Sequence, residues 1–315
     1  MRRALAGDPA WRLVCQNRPL PTTACARQNM AYCLLDDLGV LRFRGADTQK
    51  FLQGQLSNDV GQLTAGVLTR AGLHNPQGRT LALLALLPVG QEDVLAILPR
   101  DLIASVATHM KRYVLRSQVT IVDETANLSL LGLELPEDAP AGEALLCRYG
   151  MHGDERRLLV RAATQPPMSG AKIMRERWRA LDIAAGLPQV SNAISAAFVA
   201  QMLNLDCIEA ISFTKGCYTG QEVIARAHYR GRVKRRMQRF VSTAPLELLA
   251  GASGRLDDGR AYRVVEATVR ADGRCEFLAV APLPGAAQDA EQNAQTDEVQ
   301  RTAVSALPLP YPLPE

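Results

Sequence analysis

Lys215-Gly216-Cys217-Tyr218-Thr219-Gly220-Gln221-Glu222 places a glycine-flanked cysteine directly before a helix-start signal. Thr219 and Glu222 have capping-box spacing, in which the hydroxyl takes an orphan amide of the first turn and the glutamate reaches back. The pattern predicts a helix from about Gly220 through Val223, Ile224, Ala225 and Ala227, with Gly231 as its C-cap. Cys217 then lies just outside a helix N-terminus, where exposed amides and the dipole favour an anion, and Lys215 is two positions away; both favour thiolate over thiol. A thiolate attacks carbon or sulfur, ligates soft iron or zinc, or is oxidised. Against this stands the commonest fate of a cysteine, that of a small buried hydrophobe. The residues alone leave both readings open.

The elements that must position this block read as α+β. Val40-Leu41-Arg42-Phe43 is a strand, Gly45 a turn, and Asp47 caps a helix carrying Phe51, Leu52 and Leu56 on one face. Asn75-Pro76-Gln77-Gly78 has turn chemistry between the strands 67–73 and 80–87, predicting a hairpin. Val94-Leu98 is a further strand, and Leu102, Val106, Met110 and Tyr113 follow at helical spacing. Strand, helix, hairpin, strand, helix implies helices packed on a largely antiparallel sheet over 30–118. A second unit, 119–235, opens with strands at 119–122, 128–133 and 158–160. It continues with a helix from Lys172 to Ala185 that holds Trp178 and is stopped by Gly186-Leu187-Pro188, and it ends with the cysteine block. Short β segments over 236–283 suggest a small barrel or sandwich. Residues 284–303 read as a linker, and Leu307-Pro308-Leu309-Pro310-Tyr311-Pro312-Leu313 as an extended docking tail.

Composition sets outer bounds. The 315 residues, 47% apolar and 22% charged, suit a folded chain of two or three domains, with aromatics sparse at 5%. The longest apolar run, Leu81 to Val89, is too short to cross a bilayer, so no membrane partner is expected. Seven scattered cysteines lack metal-site spacing and favour a reducing compartment. Residues 1–29 are arginine-rich and nearly free of acid. They read as a disordered extension before Met30, which gives a cytoplasmic protein, or as a transit peptide, which gives a mitochondrial matrix one. The four histidines (His74, His109, His152, His228) form no metal-spaced pair and read as surface or turn residues.

Taken together, Asn204-Leu205-Asp206, Ile211-Ser212-Phe213, Lys215 to Glu222, Ala225-Arg226 and Lys234-Arg235 resemble the YgfZ-type folate-binding proteins, relatives of the glycine-cleavage T-protein that assist iron–sulfur cluster assembly or repair. Matches extend through Phe51-Leu52-Gln53-Gly54-Gln55, Asn58-Asp59, Pro76-Gln77-Gly78-Arg79, Tyr113-Val114-Leu115-Arg116-Ser117, Trp178 and Pro308-Leu309-Pro310-Tyr311, covering about 31–315. The resemblance implies three domains in a ring around a folate-binding opening, with tetrahydrofolate or a derivative bordered by Trp178, Leu38, Asn58, Gln221 and Lys215. Cys217 would be the essential thiol, facing that opening, with iron of a transient iron–sulfur cluster, sulfur or a folate carbon left open as what it meets. Gly216, Tyr218, Gly220, Glu222 and Arg226 would support the motif. Expected partners are folate, iron–sulfur carrier proteins and target enzymes, among them radical-type tRNA-modifying enzymes.

Three departures matter. Leu38 stands where some relatives have tryptophan. Gly78-Arg79-Thr80-Leu81-Ala82-Leu83 lacks the acid that the aminomethyltransferase relatives use to orient folate, which argues against glycine cleavage. Ala184 lies near the place of their folate-binding glutamate. The basic run from Arg226 to Arg239, including Arg230, Lys234 and Arg235, is either a solvated face or an anion patch for a folate tail, an acidic partner or RNA. RNA ranks last because Tyr229 is the one aromatic interleaved. A folate-dependent one-carbon transferase and a noncatalytic RNA- or protein-binding module are the competing functions.

Overall fold

The computed structural model of the chain describes residues 31–90, 92–134, 145–168, 170–231, 233–284 and 301–314. The extension 1–29 and most of the expected linker lie outside them. In chain order, strands β1 (Ala31–Leu34) and β2 (Leu38–Arg44) lead to helix α1 (Thr48–Gln55), then β3 (Thr69–His74), β4 (Thr80–Gly90), β5 (Asp93–Pro99), helix α2 (Ile103–Val114) and β6 (Thr120–Asp123). Next come β7 (Leu128–Glu134), β8 (Leu145–Arg148), β9 (Arg157–Ala162), β10 (Ala171–Lys172), α3 (Arg175–Ala184) and, after short 3-10 turns, α4 (Gln221–Tyr229). The chain closes with β11 (Arg235–Pro245), β12 (Ser253–Leu256), β13 (Ala261–Val269), β14 (Arg274–Pro282), β15 (Arg301–Thr302) and β16 (Val304–Leu307).

These strands form three sheets, ordered β3-β4-β5-β2-β6, β10-β1-β7-β9-β8 and β15-β12-β13-β14-β11-β16. Pairing is antiparallel except for β1 with β10 and β12 with β15. The α+β reading holds, as does the hairpin at Asn75–Gly78, where the Gly78 amide donates to the Asn75 carbonyl at 2.9 Å. Two strand assignments change. Residues 119–122, read as opening the second unit, instead provide β6, the edge of the first sheet, while β1 joins the second. The C-terminal sheet is a curled half-barrel, in keeping with the barrel-like domain expected there.

Alternation explains how the sheets share a core. In β4, Ala82, Leu84 and Leu86 pack with Phe51 and Leu52 of α1 and with Val106 and Met110 of α2. Leu83 and Leu87, on the opposite face, enter a central core. Leu128 and Leu130 of β7 and Val265, Leu278 and Val280 of the third sheet meet them there. The apolar run 81–89 is thus a strand buried on both faces. Each buried leucine or isoleucine contributes about 1.5–3 kcal/mol, so the shared core ties the three sheets together. The tail docks as expected: β16 pairs with β11, and Tyr311 is buried with its hydroxyl donating to the Gly186 carbonyl at 2.8 Å.

Candidate functional site

The cysteine block is held against the first sheet by two devices. Gly220, not Thr219, is the N-cap of α4; it has φ 83° and no side chain caps the helix, so the capping box does not form. Glycine is required there because a Cβ would lie 2.5 Å from the Asn75 carbonyl oxygen and 3.1 Å from the Gly78 Cα. The tip of the hairpin and the start of α4 therefore interlock, with Val223 against Gly78. The second device is Lys215. Its buried ammonium donates to the carbonyls of Gln53 and Leu56 at 2.6 Å and of Asn58 at 2.9 Å, filling acceptors at the end of α1. Burial pulls its pKa down to about 8, opposed by Asp59, so at neutral pH it keeps the three protons those carbonyls take. Its role is a clamp, and its donors face backbone instead of a cofactor or the neighbouring thiol.

Cys217, between these anchors, is exposed, and Gly216 beside it has open space around its Cα. Tyr218 is buried next to His74, with ring centroids 6.3 Å apart, and burial pushes its hydroxyl up to about 12. Glu222 and Arg226 are exposed, while Gln221 opens α4 half-buried. The block thus presents one free thiol on a rigid mount.

A cavity of about 870 Å³ opens beside this mount. Asn58, His152, Gln201, Glu209, the strip Ile211–Thr214, Ala227 and His228 of α4, Arg236 of β11, and the tail from Pro310 contribute to its wall. A second space of about 450 Å³ shares Asn58, His152 and Glu209 with it and adds Arg70 and Arg148. His152 and Glu209, at this junction, both have left-handed backbone, φ 52° and 55°, a strained conformation for side chains other than glycine or asparagine. Gln201 is buried; its amide nitrogen donates to the Ile224 carbonyl at 2.7 Å and its carbonyl oxygen is left without a partner. Below, Asp206 holds Arg236 through contacts of 2.9 and 3.0 Å, and burial together with Asp206 pushes the Cys207 thiol up to about 12, keeping it neutral.

Of the residues expected to border folate, only Asn58 lines this space, and both its amide protons go to the carbonyls of Arg70 and Glu209 at 2.8 and 2.7 Å. Trp178 is fully buried, its ring packed on Gly132 with the Arg156 guanidinium 4.5 Å above it. Leu38 is a core residue at the start of β2. Trp178 lies on the buried face of α3 and β2 is buried along both faces, so neither side chain forms an accessible wall. The residues that line the two spaces and that sequence reasoning missed are Glu209, His152 and Gln201 in the larger and Arg70 in the smaller. They are single polar residues in loop, strand or short 3-10 segments, with no motif to mark them. The basic run divides: Arg236 and Arg239 are bound by Asp206 and Glu276, whereas Arg226, Arg230, Lys234 and Arg235 face outward. His228, read as an ordinary surface histidine, stacks on Phe213. Among the described residues no three His, Cys, Asp or Glu side chains are grouped to hold a metal ion, and no helix is long and apolar enough to cross a membrane.

No protein-family model matches the chain. It is 32% identical to a protein of Enterobacter sp. (strain 638) named tRNA-modifying protein YgfZ, covering 94% of this chain and 98% of that one. The protein of the same name from Shigella dysenteriae serotype 1 (strain Sd197) is 34% identical, covering 76% and 78%. An uncharacterized protein of Haemophilus influenzae is 35% identical over 63% of this chain and 69% of its own length. Among solved structures, the glycine cleavage system aminomethyltransferase T of Bartonella henselae superposes with a TM-score of 0.63 at 13% identity, covering 82% and 79%, which is a likeness of fold.

Proposed function

The chain belongs to the YgfZ family of tRNA-modifying proteins, and from that premise we propose that it binds tetrahydrofolate or a close derivative in the central cavity and supports assembly or repair of iron–sulfur clusters in enzymes that modify tRNA. The observation that carries the folate reading is the pair of adjoining cavities, which match the two ends of such a molecule. The larger offers a hydrogen-bond acceptor, the exposed Glu209 carboxylate, to the N–H edge of a pteridine. The smaller offers Arg70 and Arg148 to a carboxylate tail. Folate, when bound, supplies a one-carbon or redox-active ring beside the mount.

Cys217 is the group proposed to meet the cargo. Thr214 lines the larger cavity, and three residues of chain keep Cys217 within about 11 Å of it. An exposed thiol on a mount locked by Lys215 and Gly220 can approach a cluster or a sulfur on another protein without refolding. The cluster is cargo in this reading, the thiol a contact made in passing, and iron–sulfur carriers and client enzymes are the protein partners. The absence of an acid after Gly78 argues against aminomethyl transfer. The test is a deletion strain assayed for cluster-dependent tRNA modification. Wild type is expected to restore it and Cys217→Ser to fail while accumulating as folded protein; full rescue by Cys217→Ser would overturn the role of the thiol.

A further inference from the structure

We propose that the outward face of α4 is a binding surface for single-stranded RNA, its bases stacking on Tyr229, which Phe213 and His228 of the cavity wall back from behind, and its phosphates held by the outward half of the basic run. The choice of RNA over DNA rests on the function proposed above; the surface itself does not.

The rings come from two separate segments. Phe213 and His228 stack with centroids 3.7 Å apart and planes 14° from parallel. Tyr229 meets both edge-on, at 6.1 Å from Phe213 and 4.7 Å from His228. Tyr229 is 66% exposed, while Phe213 is half-buried behind it. A single exposed tyrosine is unremarkable, but one buttressed by a stacked pair is a rigid platform, which costs little ordering when a base lands on it.

Charge is sorted around this platform. Arg226 in α4 and Arg230, the residue that caps its C-terminal end, flank His228 and Tyr229 in sequence, and neither makes an ion pair among the described residues. Lys234 and Arg235, just beyond, are exposed as well. Glu222, in the first turn of α4, is the acid on this helix, and it too makes no ion pair among the described residues. By contrast Arg236 and Arg239, from the same run, are held by Asp206 and Glu276. The fold thus neutralises Arg236 and Arg239 internally, leaves Arg226 and Arg230 without an ion pair on either side of His228 and Tyr229 in sequence, and exposes Lys234 and Arg235 a few residues further on. An acidic protein face would use the cations and leave the rings idle. A single strand of nucleic acid uses both, because every base carries a π face and every linkage a charge.

The test is fluorescence anisotropy of a labelled mixed-sequence oligoribonucleotide of about twelve nucleotides titrated with the full chain at several salt concentrations. Binding is expected, with log K falling against log salt at a slope of roughly −3, as four phosphate contacts on a single strand require. Tyr229→Ala should weaken binding on the order of ten- to a hundredfold with an unchanged salt slope. Arg226→Gln with Arg230→Gln should reduce the slope by about 1.4. All three side chains are exposed, and circular dichroism and melting curves matching wild type establish that the variants fold. Cys217→Ser should bind like wild type, so failure of the thiol reading and failure of this one are separable. Absence of salt-dependent binding, or unchanged affinity in Tyr229→Ala, would overturn the surface. Poly-glutamate binding in place of RNA would reassign it to an acidic protein partner, and equal affinity for DNA of the same sequence would overturn the assignment to RNA.

Discussion

His74 lies directly beneath the cysteine mount with nowhere to put a proton. It is fully buried, neither ring nitrogen has a partner, and its neighbours are Gly72, Ser57, the Tyr218 ring and Gly220. Burial pulls its pKa from 6.5 down to about 3. Between those values the unfolded chain takes up a proton that the folded one refuses, so this contribution to stability is complete above about pH 6.5 and is lost as pH falls toward 3. Thermal melts should show His74→Phe losing less stability than wild type between pH 7 and 4; parallel slopes would assign the acid sensitivity to carboxylates elsewhere. The same scale shows where sequence misleads. Lysine two positions from cysteine reads as an electrostatic partner, yet Lys215 spends its three donors on backbone carbonyls of a segment far away in sequence. Proximity along the chain carries no information about which way a four-carbon side chain turns.

Helix ends decide how the elements dock. α3 stops in a Schellman arrangement, with Gly186 donating to Ile183 at 3.1 Å and Leu187 to Asp182 at 2.9 Å, and Gly186 at φ 64°. A Cβ at Gly186 would sit 2.6 Å from the Tyr311 hydroxyl oxygen, so this glycine serves both the helix end and the docking of the tail. Gly186→Ala is expected to cost about 2–3 kcal/mol, of which about 1–2 is left-handed backbone strain and the rest displacement of Tyr311. Urea denaturation should show the penalty shrinking to the backbone share in a Tyr311→Ala background; full additivity would mean that the tail does not press on the glycine. That α3 would stop at Gly186-Leu187-Pro188 was legible, since those residues have one common conformational meaning. That the proline-rich tail would land on the same glycine was not, because no local pattern encodes a contact between segments so far apart.

At the scale of the whole molecule, three sheets converge on one core, and the larger cavity forms where connecting segments, α4, β11 and the tail meet. A ligand that binds only the assembled junction stabilises it by mass action, about 2.7 kcal/mol at a hundredfold excess over Kd. Tetrahydrofolate should therefore raise the melting temperature by several degrees. Glu209→Gln, an exposed position that leaves the core intact, should reduce that rise; no shift with wild type at millimolar ligand would remove the folate reading.

Sequence by itself determined the α+β class, the hairpin, the helices near Phe51 and Trp178, and the family with its cysteine block, because each rests on local periodicity, turn chemistry or a contiguous motif. Only the tertiary structure decided that Trp178 and Leu38 face the core, that β1 and β6 exchange sheets, that Glu209, His152 and Gln201 meet around a cavity, and that Phe213 joins His228 and Tyr229. Those outcomes depend on which faces pack against one another across long sequence separations, and burial of apolar area, the force that selects them, is non-directional and leaves no local mark in the chain.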